Sequence, residues 1–193
     1  MCDNPRRFGT VQLTLFAEIW GKGTDNLPVA GNADQDDVHR QRWQESADRS
    51  DDAALQKFAA DALADPQGSA LLGAVFGNSP FLSQCMISDL EFARRLLENG
   101  PDAAFGEALA AAEDRSALTS ETSDQVKQRL RVAKRRAALS IGVADIANIW
   151  PLEQITAALS DFACAALGAS CRHLLREMHE SGALALPYPD DPE

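Results

Sequence analysis

The side chains best able to do chemistry are few and far apart. Cys164, Cys171 and His173 fall in one short run that reads as helix, and a spacing of seven puts both thiols on one face. A structural zinc site needs further ligands at closer spacing. Two small core residues beside an incidental imidazole is therefore the favoured reading. His39 and His179 add no ligand-like spacing. Nucleotidyl transfer sets clustered carboxylates on a strand to hold magnesium against phosphates. Asp34-Gln35-Asp36 lies in a polar, Gly-containing stretch and Asp190-Asp191 at the chain's end. Neither pair has the rigid surroundings a metal site requires. The phosphate-cradling patterns G-x-x-x-x-G-K-[ST] and G-x-G-x-x-G do not occur. The residues taken alone present no catalytic centre.

Charge is more concentrated. Lys127, Arg129, Arg131, Lys134, Arg135 and Arg136 form a basic run, and on a helix Lys127, Arg131, Lys134 and Arg135 lie near one face. One reading is a phosphate or RNA contact. The other, favoured because the chain carries a net charge of −11, is a solvated face paired with surrounding acids. An anion held there would be a partner's acidic surface or a nucleotide phosphate before duplex DNA. Asp145 stands within the apolar stretch Ile141 to Trp150. As a buried acid it would need a partner such as Arg172 or a cation of the preceding turns.

The elements that position these residues follow from composition and periodicity. At 193 residues, 45% hydrophobic and rich in alanine with only 6% aromatics, the chain can hold one helical core. Four scattered cysteines without C-x-x-C pairs suit reduced thiols and a cytoplasmic setting. No apolar run approaches the roughly 18–20 residues of a membrane span. Arg6-Arg7-Phe8 resembles a twin-arginine start but lacks a clean apolar region behind it.

Residues 1–49 read as a poorly ordered extension, with a short amphipathic piece at Val11 to Trp20 and a helix at Val38 to Ala47. Residues 50–186 read as a helical subdomain, and 187–193 as a charged, Pro-rich linker. Within the subdomain Ser50 is expected to cap a helix ended by Pro66 and Gly68, and Ser79-Pro80 to start another. Ser88-Asp89-Leu90-Glu91 has the form of a capping box, and Asn99-Gly100-Pro101 of a break. Two long helices follow, from about Ser123 to Ile149 and from Pro151 to Gly182, divided at Trp150-Pro151. Leu184 to Leu186 is the only strand candidate and is too short. The expected fold is all-α, a multi-helix bundle ending in two long helices.

Several strings then line up in order: Phe76-Gly77-Asn78-Ser79-Pro80-Phe81-Leu82, Ala133-Lys134-Arg135-Arg136, Ala144-Asp145-Ile146, Trp150-Pro151-Leu152-Glu153, Ala158-Leu159-Ser160 and Arg172-His173-Leu174-Leu175. Over residues 50–193 the chain resembles the N-terminal helical segment of the bifunctional glutamine synthetase adenylyltransferase/deadenylylating enzymes. The resemblance implies a cytoplasmic nucleotidyltransferase of two catalytic halves. One removes AMP from glutamine synthetase by phosphorolysis, and the other attaches it from ATP with magnesium. PII signalling proteins set the balance.

The resemblance also implies that this chain stops before the family's Gly-rich turn and its Asp-x-Asp pair, which belong to an α/β nucleotidyltransferase domain. No catalytic, metal or cofactor residue therefore carries over. Magnesium and ATP or ADP are implied for the full-length enzyme only. Glutamine synthetase and PII are the implied partners, with no nucleic acid and no membrane. What carries over is a set of motif positions: Gly77, Asn78, Ser79, Pro80, Lys134, Arg135, Arg136, Asp145, Trp150 and Arg172. The expected role is helical support for the deadenylylating site, inactive alone. The alternative is a non-enzymatic helical module that binds a protein partner. A subdomain separated from its catalytic sheet would expose an apolar face and self-associate.

Overall fold

The computed structural model describes residues 20, 26–114 and 121–188, and among these every regular element is a helix. In chain order these are α1 (Ala33–Asp48), α2 (Ala53–Ala64), α3 (Pro66–Phe76), α4 (Pro80–Ser88), α5 (Leu90–Glu113), α6 (Ser123–Ile146) and α7 (Leu152–Glu180). The all-α bundle with two long final helices is thus what forms. Leu184 to Leu186 takes no strand conformation.

Helix boundaries follow local capping chemistry. Asn32 caps α1, Asp52 α2, Asp65 α3, Ser79 α4 and Asp89 α5, each accepting a backbone N–H of the first turn. Two expected caps are corrected. Ser50 does not cap α2: its hydroxyl instead accepts the N–H of Asp52, the actual cap. Ser88 is the last residue of α4, and the carboxylate one position later takes the N–H of Phe92. In both places a carboxylate follows the serine and gives the positive helix end a full charge. Pro66 is likewise the first residue of α3, where its missing N–H costs nothing.

The break at Asn99-Gly100-Pro101 survives as a kink inside α5. Gly100 takes φ 85° and ψ 169°, a conformation that suits glycine alone. Thr122 and Gln125 form a capping box at the start of α6. Trp150-Pro151 separates α6 from α7, which ends before Gly182 at φ 74°.

The described part of residues 1–49 is packed rather than loose. The helix expected at Val38–Ala47 extends over Ala33–Asp48 and buries His39, Trp43 and Ala47. Trp43 donates its indole N–H to the Ala59 carbonyl at 3.1 Å and lies against Phe58 and Phe76. Trp20 is buried and donates to the Leu97 carbonyl at 2.8 Å. Polarity misled here: α1 is polar on most positions and burial rests on three residues of one narrow face. The rest of Val11–Trp20, the Arg6-Arg7-Phe8 string, Asp190-Asp191 and all but the start of the 187–193 linker lie outside the described residues.

The largest core cluster joins α1 to α5 around Trp20, Trp43, Leu71, Leu72, Phe76, Phe92 and Leu97 and reaches α6 through Leu139 and Val143. Two smaller clusters tie α5, α6 and α7 together. Ile141, Ala144, Trp150, Ile155 and Ala158 pack with Phe105 at one end, and Ala112, Ala133 and Ala165 with Leu130 and Phe162 at the other. Small residues at the α5–α6 contact let these helices approach closely, and theirs is the most extensive pairing. Among the described residues no helix is long and apolar enough to cross a membrane.

Candidate functional site

The motif positions separate into a clasp, a salt-bridged hinge and an exposed basic face. The clasp is Gly77-Asn78-Ser79-Pro80. Asn78 accepts the Gly31 N–H on Oδ1 at 3.0 Å and donates through Nδ2 to the carbonyls of Val29 and Ala74 at 3.1 and 2.9 Å. The Gly77 carbonyl accepts the N–H of Asn32, the α1 cap, at 3.1 Å. A Cβ at position 77 would stand 2.4 Å from Ala30 Cβ, so only glycine permits this approach. Ser79 and Pro80 then start α4 as its cap and first residue. This motif therefore ties the chain ahead of α1 to the α3–α4 corner.

The hinge is centred on Arg136. Its guanidinium donates to Asp89 at 2.8 Å, lies 3.6 Å from Glu107 and covers the Phe92 ring at 5.1 Å. Arg95 also pairs with Glu107, at 2.9 Å, and that hydrogen bond holds its guanidinium above its ordinary pKa. Both sides of the α5 kink are thereby fastened to α6. Arg129 is also turned inward. It pairs with Glu121 at 2.9 Å and donates to the Ala111 and Ala112 carbonyls near the end of α5, each at 3.0 Å.

The other cations of the run face outward. Lys127 pairs with Asp124 at 3.1 Å on the surface. Arg131, Lys134 and Arg135 are exposed, and among the described residues no acid pairs with them. The paired-face reading thus holds for Lys127, Arg129 and Arg136 but not for these three. Beneath them Cys85 is buried. Burial pushes its thiol up from the ordinary value, while the charge of Arg135 pulls it partly back.

Asp145 requires correction. It is exposed at the end of α6, and no cation reaches it among the described residues. Arg172 stands near the opposite end of the antiparallel α6–α7 pair, where neighbouring His173 contacts Ser123 at 2.9 Å. The two are separated because the expectation assumed a buried acid, whereas the apolar stretch carries one outward position per turn. Trp150 is buried and meets Phe105 edge to face at 5.8 Å and 88°.

The thiols also move: Cys164 and Cys171 are exposed rather than core residues, while His173 is buried. No metal-sized group of His, Cys, Asp and Glu occurs among the described residues. Asp36 of the Asp-x-Asp pair is bound to Arg40 at 2.8 Å, and Arg40 also reaches Ser69. Sequence reasoning missed one polar cluster. Ser123 donates to Glu177 at 2.7 Å and contacts His173, clipping the start of α6 to the end of α7. Spacings of 50 and 54 residues between these partners leave no local signal.

Among the described residues these features define a helical bundle whose marked residues mostly hold helices together and present a free basic face. A family model described as glutamate-ammonia ligase adenylyltransferase matches residues 69–192, and the chain belongs to that family. Similar relatives are bifunctional glutamine synthetase adenylyltransferase/adenylyl-removing enzymes. That of Bradyrhizobium sp. (strain ORS 278) is 39% identical over 125 residues, covering 65% of this chain and 12% of the relative. That of Bradyrhizobium sp. (strain BTAi1) is 37% identical over 60% of the chain and 12% of the relative. The Bartonella quintana enzyme is 32% identical over 63% and 12%. This chain thus spans only about an eighth of the length of the curated relatives it matches. No solved structure matches significantly.

Proposed function

We propose that this chain is the helical support of a cytoplasmic enzyme that adenylylates and deadenylylates glutamine synthetase, and that it does not itself transfer AMP. The observation that carries this reading is the use made of the family strings. Gly77, Asn78, Ser79, Pro80, Arg136 and Trp150 are all engaged in clasping, capping, pairing or packing. Lys134 and Arg135 alone combine motif membership, exposure and a cationic charge.

In this proposal the bundle braces the deadenylylating site, and Arg131, Lys134 and Arg135 face an anionic surface. Glutamine synthetase, a PII protein or the nucleotide cleft would supply that surface. Magnesium and ATP or ADP act in the full-length enzyme through residues outside this set. Exposed cations contribute mainly through long-range attraction, so their effect should weaken with salt.

Two measurements test the proposal. This chain, incubated with adenylylated glutamine synthetase and inorganic phosphate, should release no ADP; release would refute the supporting role. Placing K134E/R135E in a full-length relative carrying this segment should lower deadenylylation or alter its response to PII while leaving thermal stability unchanged. Unchanged rate and unchanged response would remove the basic face from the mechanism. A second reading, a free-standing helical interaction module, is favoured by the apolar outer face of α7. Binding of the isolated chain to a partner with no change in adenylylation of glutamine synthetase would support it.

A further inference from the structure

The outer face of α7 is apolar, as expected of a helical support separated from its catalytic sheet, and it has in addition a symmetric order that such a role does not require. Leu152, Leu159, Leu167 and Leu174 are 72%, 53%, 66% and 56% exposed, although leucine on a helix normally marks the buried side. The buried side of α7 is a different one, formed by Ile155, Ala158, Ala165, Ala169 and His173. Between the leucines lie Thr156, Ala163 and Ser170. From Leu152 to Leu174 these positions advance by four, three, four, four, three and four residues, so all lie on one stripe. No charged residue interrupts α7 from Phe162 to Cys171.

The hydroxyls on this stripe are already satisfied. Thr156 donates to the Leu152 and Glu153 carbonyls at 3.0 Å, and Ser170 to the Ala166 carbonyl at 2.8 Å. Neither hydroxyl therefore needs water as an acceptor for its proton.

The stripe also reads the same from either end: leucine, hydroxyl, leucine, Ala163, leucine, hydroxyl, leucine. A two-fold interface requires one patch to complement itself under a half-turn, and a stripe that reads alike in both directions meets that requirement by setting each leucine against a leucine and each hydroxyl against a hydroxyl. We infer that the chain pairs with a second copy of itself, antiparallel along α7, with the two-fold axis at Ala163. Leu152 then meets the second copy's Leu174, and Leu159 meets its Leu167. Thr156 lies against Ser170, and the small alanines at the axis let the helices approach closely. Leu174 also borders an open depression of about 600 Å³ with Glu177, Met178, Glu180 and Ser181, which receives the second copy's Leu152.

The stripe is about 33 Å long and about 10 Å wide. That is well short of the roughly 800 Å² per partner of a standard stable interface, so the pair is weak and reversible. Each copy carries a net charge of −11, and screening this repulsion strengthens the pair. The inference requires only α7 and stands apart from any role in adenylylation.

The test is sedimentation of the whole chain from about 10 μM to about 1 mM at low and high salt, a range that brackets a weak Kd. The expected result is a shift from one chain to two that occurs at lower concentration in high salt. Leu167→Glu should abolish the shift with the helical circular-dichroism signal unchanged. With Cys2, Cys164 and Cys171 changed to Ser, Ala163→Cys should form an interchain disulfide, because the axis brings that position to itself. Leu174→Cys in the same background should not, since its two copies stand about 33 Å apart along the pair.

A monomer at every concentration would overturn the inference and leave the stripe to the remainder of a longer family polypeptide. So would a dimer indifferent to Leu167→Glu. Efficient self-crosslinking of Leu174→Cys would indicate parallel helices and overturn it equally.

Discussion

At the scale of single residues, Gly77 shows how a surface motif can be structural. An alanine there would drive its Cβ into Ala30 and push away the strand of chain that Asn78 holds at Val29 and Gly31. Gly77→Ala should cost about 1–3 kcal/mol, the usual scale of overpacking, read as a lower urea midpoint. Cys85 makes a second prediction. Its folded thiol pKa is raised, so the protonated form favours the fold. The associated stability is fully present below the unfolded thiol value of about 8.5 and is lost as pH rises through the higher folded value. Alkylation near pH 8 should modify Cys164 and Cys171 first, and Cys85 only on unfolding. Equal rates at all three would show that Cys85 is not shielded.

At the scale of elements, the helices are held at their ends as much as along their faces. The start of α6 depends on Thr122, whose hydroxyl accepts the Gln125 N–H while the Gln125 side chain accepts that of Thr122. Thr122→Ala should lower stability by about 1 kcal/mol, and Thr122→Ser should restore most of it, both read by thermal unfolding. Most of this architecture was legible in the sequence. Ser79-Pro80, Asn99-Gly100-Pro101 and Trp150-Pro151 are punctuation set by backbone sterics, which tertiary packing did not override. Where serine and aspartate competed for a cap, as at Ser50-Asp51-Asp52 and Ser88-Asp89, the sequence pattern was ambiguous and errors of two residues and one followed. The free basic face was legible only in part. Periodicity grouped Lys127, Arg131, Lys134 and Arg135, but which cations found acids depended on Asp89, Glu107 and Glu121, and those pairings are set by the α5–α6 packing. Exposure of Asp145, Cys164 and Cys171 was misjudged for a related reason. A stretch of apolar composition does not reveal which of its positions faces outward until a neighbouring helix covers the others.

At the scale of the whole molecule, the family match and the physical fold begin at different places. The match starts at residue 69, whereas the core already includes Trp20, Trp43 and Ala47. Trp43 fills the space between Phe58 and Phe76, and His39 Nδ1 donates to the Phe76 carbonyl at 3.0 Å. A chain beginning at residue 50 would leave the Phe76 carbonyl without its His39 donor, take the Trp43 indole from the Ala59 carbonyl and open a cavity where α1 packed. Loss of one buried tryptophan typically costs about 3–5 kcal/mol, and a domain of this kind holds only about 5–15 kcal/mol in total. The shortened chain should therefore retain much of its far-ultraviolet helix signal, bind apolar dye and lose a sharp melting transition. Trp43→Phe in the full-length chain, which keeps a ring but no indole N–H, should instead melt cooperatively at a lower temperature. If the shortened chain melted as sharply and as high as the intact one, α1 would be an appendage and the core would begin at α2. The folded unit is therefore expected to be longer at its N-terminal side than the segment shared with the relatives, and α1 with the Asn78 clasp is what would make it so.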